Sequence, residues 1–190
     1  MRKLILEEWV SLDGHVTDKD GQLDFFTSLT PEQNKYSDLD QLKFLETVDT
    51  ILLGRKTYEL FVDFWPTATT DKEAIADKLN ETKKIVFSNT LTQAPWGKWP
   101  EAEIINGEAT TAIKKLKSLA GKDMVMWGSI SLAQSMMEEN LVDEYHIQLC
   151  PVITGGGRNL FTQINFKKLK LTEIRQYDTG TVFLNYTALK

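Results

Sequence analysis

Short apolar runs alternate with stretches of helical spacing along almost the whole chain. Residues 2–10 alternate in β-rich types and read as a strand, which Ser11-Leu12-Asp13-Gly14 breaks. Residues 18–21 form a polar turn. Thr30-Pro31-Glu32-Gln33 is a strong helix start: the threonine can cap, the proline fits the first helical position and the glutamine completes a capping box. Tyr36, Leu39, Leu42 and Leu45 then recur at helical spacing, so this helix runs to about Thr47. Residues 49–53 (DTILL) form a short apolar strand closed by Gly54, and a helix follows from near Thr57 until Trp65-Pro66. Residues 71–81 read as a short charged helix with Ile75 and Leu79 inward, and 83–87 (KKIVF) as a strand. A Pro/Trp/Gly-rich loop covers 91–102, with a brief strand at 103–105. An amphipathic helix spans 108–120 with Ile113, Leu116 and Leu119 inward. Then come a strand at 123–127 (DMVMW), a helix at 130–139 and a long strand at 144–153. Two final strands, about 169–177 and 181–189, flank the hairpin signal Asp178-Thr179-Gly180.

This alternation predicts a three-layer α/β fold. A central, mostly parallel sheet of about eight strands is covered by helices on both faces, and the C-terminal hairpin adds antiparallel strands at one edge. The 190 residues suit a single domain over 1–190 that needs neither disulfide nor metal to fold. A net charge of −5 argues against nucleic acid as the main partner. The single cysteine, Cys150, allows no intrachain disulfide and reads as a small buried apolar residue. The opening MRKLIL resembles the start of a signal peptide, but Glu7 and Glu8 interrupt the apolar run, and no stretch approaches the ~20 apolar residues that cross a bilayer. A cytoplasmic protein without membrane contact is expected. No His, Cys and acidic residues share metal-ligand spacing, so no metal is expected.

Ligands of such sheets bind beyond the carboxyl ends of the strands, which directs attention to the strand-to-helix turns. Gly54-Arg55-Lys56-Thr57 offers close backbone approach, two cations, a hydroxyl and a helix-start amide, which suits phosphate. It lacks the spaced glycine of a P-loop, and it also reads as a plain turn with two solvated cations. Trp127-Gly128-Ser129-Ile130-Ser131 offers a second set of amides and hydroxyls for a pyrophosphate, or else a serine that simply caps a helix. Ser88-Asn89-Thr90 could bind a ribose or a 2′-phosphate, or form its own turn.

Taken in order, SLDG at 11–14, LDFF at 23–26, ILLGRKTYE at 51–59, IVFSNT at 85–90 and WGSISLAQSMMEENLVDEYHIQLCPVITGGGRNLF at 127–161 resemble the dihydrofolate-reductase-like superfamily. The resemblance is to the branch related to the C-terminal reductase domain of the bacterial riboflavin-biosynthesis protein RibD. It spans nearly the whole chain, and LVDE at 141–144 with PVITGGG at 151–157 is its most specific part. It implies an NADPH-dependent reductase acting on a small heterocycle or a carbonyl or imine, related to 5-amino-6-(5-phosphoribosylamino)uracil reductase and dihydrofolate reductase. Carried over residue by residue, it assigns Gly54, Arg55, Lys56, Thr57, Ser88 and Asn89 to the adenosine half of NADPH. Gly128, Ser129, Ile130 and Ser131 fall to the pyrophosphate. SLDG lies near the nicotinamide and substrate in the family, which points to Asp13, and such domains often form homodimers. Two departures stand out: Trp127 occupies a position where the riboflavin-pathway reductases typically have Glu, and one glycine remains in this turn.

Hydride transfer also needs a proton. Asp13, Asp24 and Glu32 are candidate donors or relays, with bound water as another. Asp13-Gly14 equally reads as a turn dipeptide. His15 could point into the cleft or stay exposed, and His146 reads as structural. Gly155-Gly156-Gly157-Arg158 could border the substrate cleft or be a plain loop. Phe25, Phe26, Trp65, Trp96 and Trp99 could wall an apolar pocket, or form core or dimer contacts. The alternatives to a reductase are a non-catalytic nucleotide-binding module and a flavin-binding or interaction protein.

Overall fold

The computed structural model describes residues 1–27, 31–162 and 164–189, without the side chains of residues 26–27 and 31–36. Eight strands form one sheet: β1 (Leu4–Ser11), β2 (Val48–Gly54), β3 (Lys83–Phe87), β4 (Glu103–Ile105), β5 (Asp123–Trp127), β6 (Glu144–Cys150), β7 (Leu169–Gln176) and β8 (Val182–Ala188). Their order is β4-β3-β2-β5-β1-β6-β8-β7. The first six pair in parallel, and β8 and β7 close one edge antiparallel. The helices are α1 (Asp24–Thr27), α2 (Pro31–Leu45), α3 (Arg55–Phe64), α4 (Ala76–Glu81), α5 (Ala109–Ser118) and α6 (Ile130–Glu138). This is the architecture the alternation of periods predicts.

Strands buried on both faces carry near-continuous apolar runs, as residues 51–53 of β2 and 124–127 of β5 do. Alternate residues feed two cores. Leu4, Leu6, Leu52, Met124 and Met126 pack with Ile113 of α5 and Ala133, Met136 and Met137 of α6. Ile5, Ile51, Leu53 and Val125 pack on the other face with Leu45 of α2, Tyr58 of α3 and Leu79 of α4. Each fully buried Leu, Ile or Met stabilises the fold by about 1.5–3 kcal/mol relative to exposure. Among the described residues, no helix is long and apolar enough to cross a membrane.

Some boundaries differ from the sequence expectation. The helix expected at 71–81 is confined to α4, with Ile75 as its N-cap. Helix α5 ends at Ser118, so Leu119, expected inward, adopts an extended backbone and is 49% exposed. Strand β6 stops at Cys150 because Pro151 has no N–H to continue the ladder. Helix α2 starts at Pro31 as expected, but its apolar stripe is not its buried face throughout: Leu39 is 43% exposed, while Gln41 reaches the carboxylate of Glu7 on β1. Thr30, the expected cap, lies outside the described residues.

Candidate functional site

Strands β3, β2 and β5 are neighbours, so the three turns singled out in the sequence leave adjacent strand ends. Two of them are tied together. The Gly54 N–H donates to Ser129 Oγ at 2.7 Å, and the Ser129 N–H donates to Thr57 Oγ1 at 2.8 Å. Ser129 Oγ in turn donates to the Trp127 carbonyl at 3.1 Å. The crossing needs backbone in the left-handed region at Gly128 (φ 55°) and Ser129 (φ 57°). A Cβ on Gly128 would stand 2.9 Å from Thr57 Cγ2. Gly54, Thr57 and Ser129 therefore build the site's frame, and their polar atoms are engaged with one another.

Around that frame, groups suited to an anion remain. Helices α3 and α6 begin here, with no side chain capping either first turn. Their amides and dipoles present positive charge. Arg55 and Lys56 stand in the first turn of α3, where cations oppose the dipole unless an anion joins them. Arg55 is compensated by Glu59, one turn on, at 2.7 and 3.0 Å, while Lys56 is exposed. A third cation arrives from a distant loop: the Arg158 guanidinium donates to Ser131 Oγ in the first turn of α6. The Ile130 side chain is buried in the core, which leaves only its backbone for a ligand. Ser88 and Asn89 spend their side-chain oxygens on backbone: Ser88 Oγ accepts from the N–H groups of Thr90 and Leu91 in its own turn, and Asn89 Oδ1 from the Gly107 N–H beyond β4.

The Asp13 carboxylate is a tether. It accepts from Ser11 Oγ at 2.7 Å, from the Thr154 N–H and hydroxyl at 3.2 and 3.3 Å, and from the Gly155 N–H at 2.9 Å. His15 Nδ1 lies 3.2 Å away. The Ser11 hydroxyl, helped by these backbone amides, holds the Asp13 carboxyl well below the usual carboxylate range. Such a group is ionised at neutral pH and poorly suited to give a proton to substrate. It fixes SLDG to the loop that carries Arg158. A folded-state pKa below the unfolded one means this stabilisation is full above the ordinary aspartate range and fades as pH falls below it. Asp13→Asn is thus expected to flatten the acid limb of the stability-against-pH curve, read by urea unfolding between pH 2 and 6. An unchanged limb would show that the tether carries no weight.

The other candidates sort as follows. Glu32 lies on α2, its side chain outside the described residues, and Asp24 is exposed on α1. Asp38, further along α2, is pushed up to about 6 by burial and by Glu73. Trp96 is fully buried, with Trp65 and Trp99 packed on the same core, so these three support the core reading over a pocket wall. Phe26 lies outside the described side chains. Cys150 is buried and its thiol is pushed up to about 12 by burial, consistent with an inert apolar role. No group of three or more metal-ligating side chains occurs among the described residues. Sequence reasoning missed Glu7: it is 4% exposed, and its Oε2 accepts from Trp127 Nε1 at 2.7 Å and Gln41 Nε2 at 2.9 Å. The available signal was a pair of acids in the middle of an apolar strand.

The RibD C-terminal domain model matches residues 2–183. The Bacillus subtilis (strain 168) protein YyaP, itself uncharacterised, is 32% identical over 189 residues, covering 97% of this chain and 94% of that protein. Among solved structures, a protein from Shewanella sp. PV-4 named for riboflavin biosynthesis superposes with TM-score 0.78 at 23% identity, covering 99% of both chains. Dihydrofolate reductase from Enterococcus faecalis, solved with NADP(H), superposes with TM-score 0.58 at 12% identity, covering 99% of this chain and 97% of that one. At these identities the superpositions establish a shared fold, while the family match covers nearly the whole sequence, and the chain belongs to the RibD C-terminal domain family.

Proposed function

We propose that the protein is an NADPH-dependent reductase that delivers hydride to a small heterocyclic, carbonyl or imine substrate. The observation that carries this reading is the convergence of Arg55, Lys56 and Arg158 on two uncapped helix starts that are hydrogen-bonded to each other. With Arg55 balanced by Glu59, Lys56 and Arg158 beside two positive dipole ends leave an excess of positive potential that a polyanion would offset, and a pyrophosphate with a 2′-phosphate is such an anion. The first-turn amides of α6, with Ser131 and Arg158, would hold the pyrophosphate. Arg55 and Lys56, beside the β3 turn at Ser88-Asn89, would hold the adenosine end. The bound cofactor supplies the hydride, and the protein orients it and keeps water out. That the Enterococcus faecalis relative was solved with NADP(H) agrees with this choice. A second copy of the chain along β7, whose Leu169, Leu171 and Ile174 are exposed, fits the homodimer of the family resemblance.

The tether at Asp13 favours one rival: a module that binds nucleotide without turnover, since the first proton donor suggested by the sequence is engaged elsewhere. Calorimetry separates these readings. Saturable NADPH binding is expected, and Arg55→Ala should weaken NADPH by about tenfold while leaving NADH nearly unchanged, because only NADPH carries a 2′-phosphate for the guanidinium to pair with. Equal loss for both would place Arg55 away from the 2′-phosphate. Absence of binding to either nucleotide would end the reading, and tight binding with no oxidation in the presence of any heterocycle would leave the rival.

A further inference from the structure

Two loops at the carboxyl end of the sheet are joined residue against residue. Residues 13–18 follow β1, residues 154–160 follow β6, and those strands are parallel neighbours. The Val16 N–H donates to the Arg158 carbonyl at 2.8 Å, and the Leu160 N–H to the Gly14 carbonyl at 3.2 Å. The Arg158 N–H donates to Thr17 Oγ1 at 3.0 Å. The Asp13 carboxylate ties the start of both arms through Thr154 and Gly155. Val16 and Leu160 are 4% and 0% exposed and belong to the core that receives α6, so the arms are anchored from below as well. The pair forms a clasp with its own hydrogen bonds and its own core contacts. Gly157 decides how closely the arms approach. Its φ is 120°, and a Cβ there would overlap the Thr17 carbonyl oxygen and stand 2.5 Å from that of Asp18. Both obstacles are backbone, so no side-chain rotation relieves them, and a larger residue at 157 drives the arms apart.

The clasp meets α6 at two points about one turn apart. Gln134 Nε2 donates to the Asn159 and Leu160 carbonyls at 3.1 and 3.3 Å, and the Arg158 guanidinium donates to Ser131 Oγ. Gln134 fixes the clasp through neutral bonds, while Arg158 brings a charge. Arg158 is exposed, and no carboxylate among the described residues pairs with it, unlike Arg55, which Glu59 holds. A guanidinium that spends one donor on a hydroxyl keeps the rest of its fork for an oxyanion. A cation beside a helix start also opposes the dipole, so the clasp, rather than local attraction, keeps Arg158 at this end of α6.

We infer that Gly157 and Thr17 are positioning residues for the cofactor: they raise dinucleotide affinity only by holding Arg158 at the first turn of α6, where its guanidinium pairs with the pyrophosphate. This rests on the cofactor reading above and adds to it the device that sets the grip on the pyrophosphate. An arginine on an unclasped loop would have to give up backbone and rotamer freedom as it met the anion, and the clasp supplies that ordering in advance. The pyrophosphate is common to NADPH and NADH, so the clasp residues act on both nucleotides alike, whereas Arg55 separates them.

Calorimetry on the purified full chain, with NADPH and with NADH, tests this through a double-mutant cycle. Arg158→Ala should weaken both nucleotides by about tenfold, the loss of one charge-assisted pair. Gly157→Ala should weaken both by a similar factor. Thr17→Ala, which introduces no clash and keeps the test decisive if Gly157→Ala fails to fold, should weaken both by about threefold, and Thr17→Ser should restore them. In the Arg158→Ala background, neither Gly157→Ala nor Thr17→Ala should lower the affinity further. Losses that multiply in the double variants would mean that the clasp shapes the site through other groups, and they overturn the inference. Full affinity in both Gly157→Ala and Thr17→Ala overturns it too, since the guanidinium then finds its anion unaided, as does full affinity in Arg158→Ala. A loss confined to NADPH moves Arg158 to the 2′-phosphate and overturns the pyrophosphate assignment. In each of these cases NADPH binding by the unaltered protein keeps the cofactor reading, whereas its failure to bind either nucleotide ends both.

Discussion

Replacing Trp96 with alanine is expected to destabilise the folded protein by about 3–5 kcal/mol, the range for emptying a tryptophan-sized core site. The indole is 1% exposed, and its Nε1 donates to Asn80 Oδ1 at 2.7 Å, itself fully buried. Asn80 Nδ2 continues the chain to the Trp65 carbonyl at 2.8 Å. The Lys84 ammonium donates to the Asn80 carbonyl and sits 4.7 Å from the centre of the Trp96 ring. Truncation would thus leave a cavity, an amide oxygen without a donor and an ammonium without its aromatic face. Burial pushes Lys84 down to about 7, below the ordinary lysine value. A folded-state pKa below the unfolded one makes stability greatest above the lysine range, with a decline as pH falls toward about 7. Water entering the site of Trp96→Ala should flatten that slope. Urea unfolding at pH 6.5 and 9 measures both effects, and a loss below about 1 kcal/mol would mean that the site collapses around the gap.

The second large effect is expected at Gly128. Alanine there would place its Cβ 2.9 and 3.0 Å from Thr57 Cγ2 and Oγ1, in a left-handed conformation that alanine adopts at a cost of about 1–2 kcal/mol. Thr57 has to move, the Ser129 N–H loses its acceptor, and the two helix starts separate. Loss of two charge-assisted amide–phosphate contacts corresponds to about a hundredfold in NADPH affinity. Gly180→Ala is the control: its φ of 82° imposes a similar backbone cost in the β7–β8 turn. Melting temperatures should fall in both variants, with NADPH affinity lost only in Gly128→Ala. Equal NADPH affinity in the two would remove the β5 turn from the cofactor site.

The sheet was legible because periods of two and of 3.6 residues separate cleanly in this chain, and because Gly54, Gly128 and the 178–180 hairpin mark the ends of strands. The turns after β2 and β5 were legible for the same reason, since each closes an apolar run and opens a helix. Individual side-chain roles were less so. Gly54, Thr57 and Ser129 offer the same groups to a phosphate as to each other, and the sequence cannot say that they face one another across the sheet. Arg158 is 27 residues from Ser131, and only the path of the 154–158 loop joins them. Asp13 was read as a turn or a proton donor, while its partners Thr154 and Gly155 come from a loop more than a hundred residues on. The leucine stripe of α2 also drew attention away from Gln41.

The hydrogen bonds that lock Gly54 and Thr57 to Ser129 span 75 and 72 residues. Because β5 sits between β1 and β2, a nascent chain that has not yet produced residues 123–127 holds two apolar strands without their shared neighbour. The frame of Gly54, Thr57 and Ser129 is then a late arrival in folding, after the costly long-range closure rather than before it. A dinucleotide that grips this frame would favour the completed sheet over every partly assembled form, so cofactor supply during synthesis would help decide how much of the protein matures.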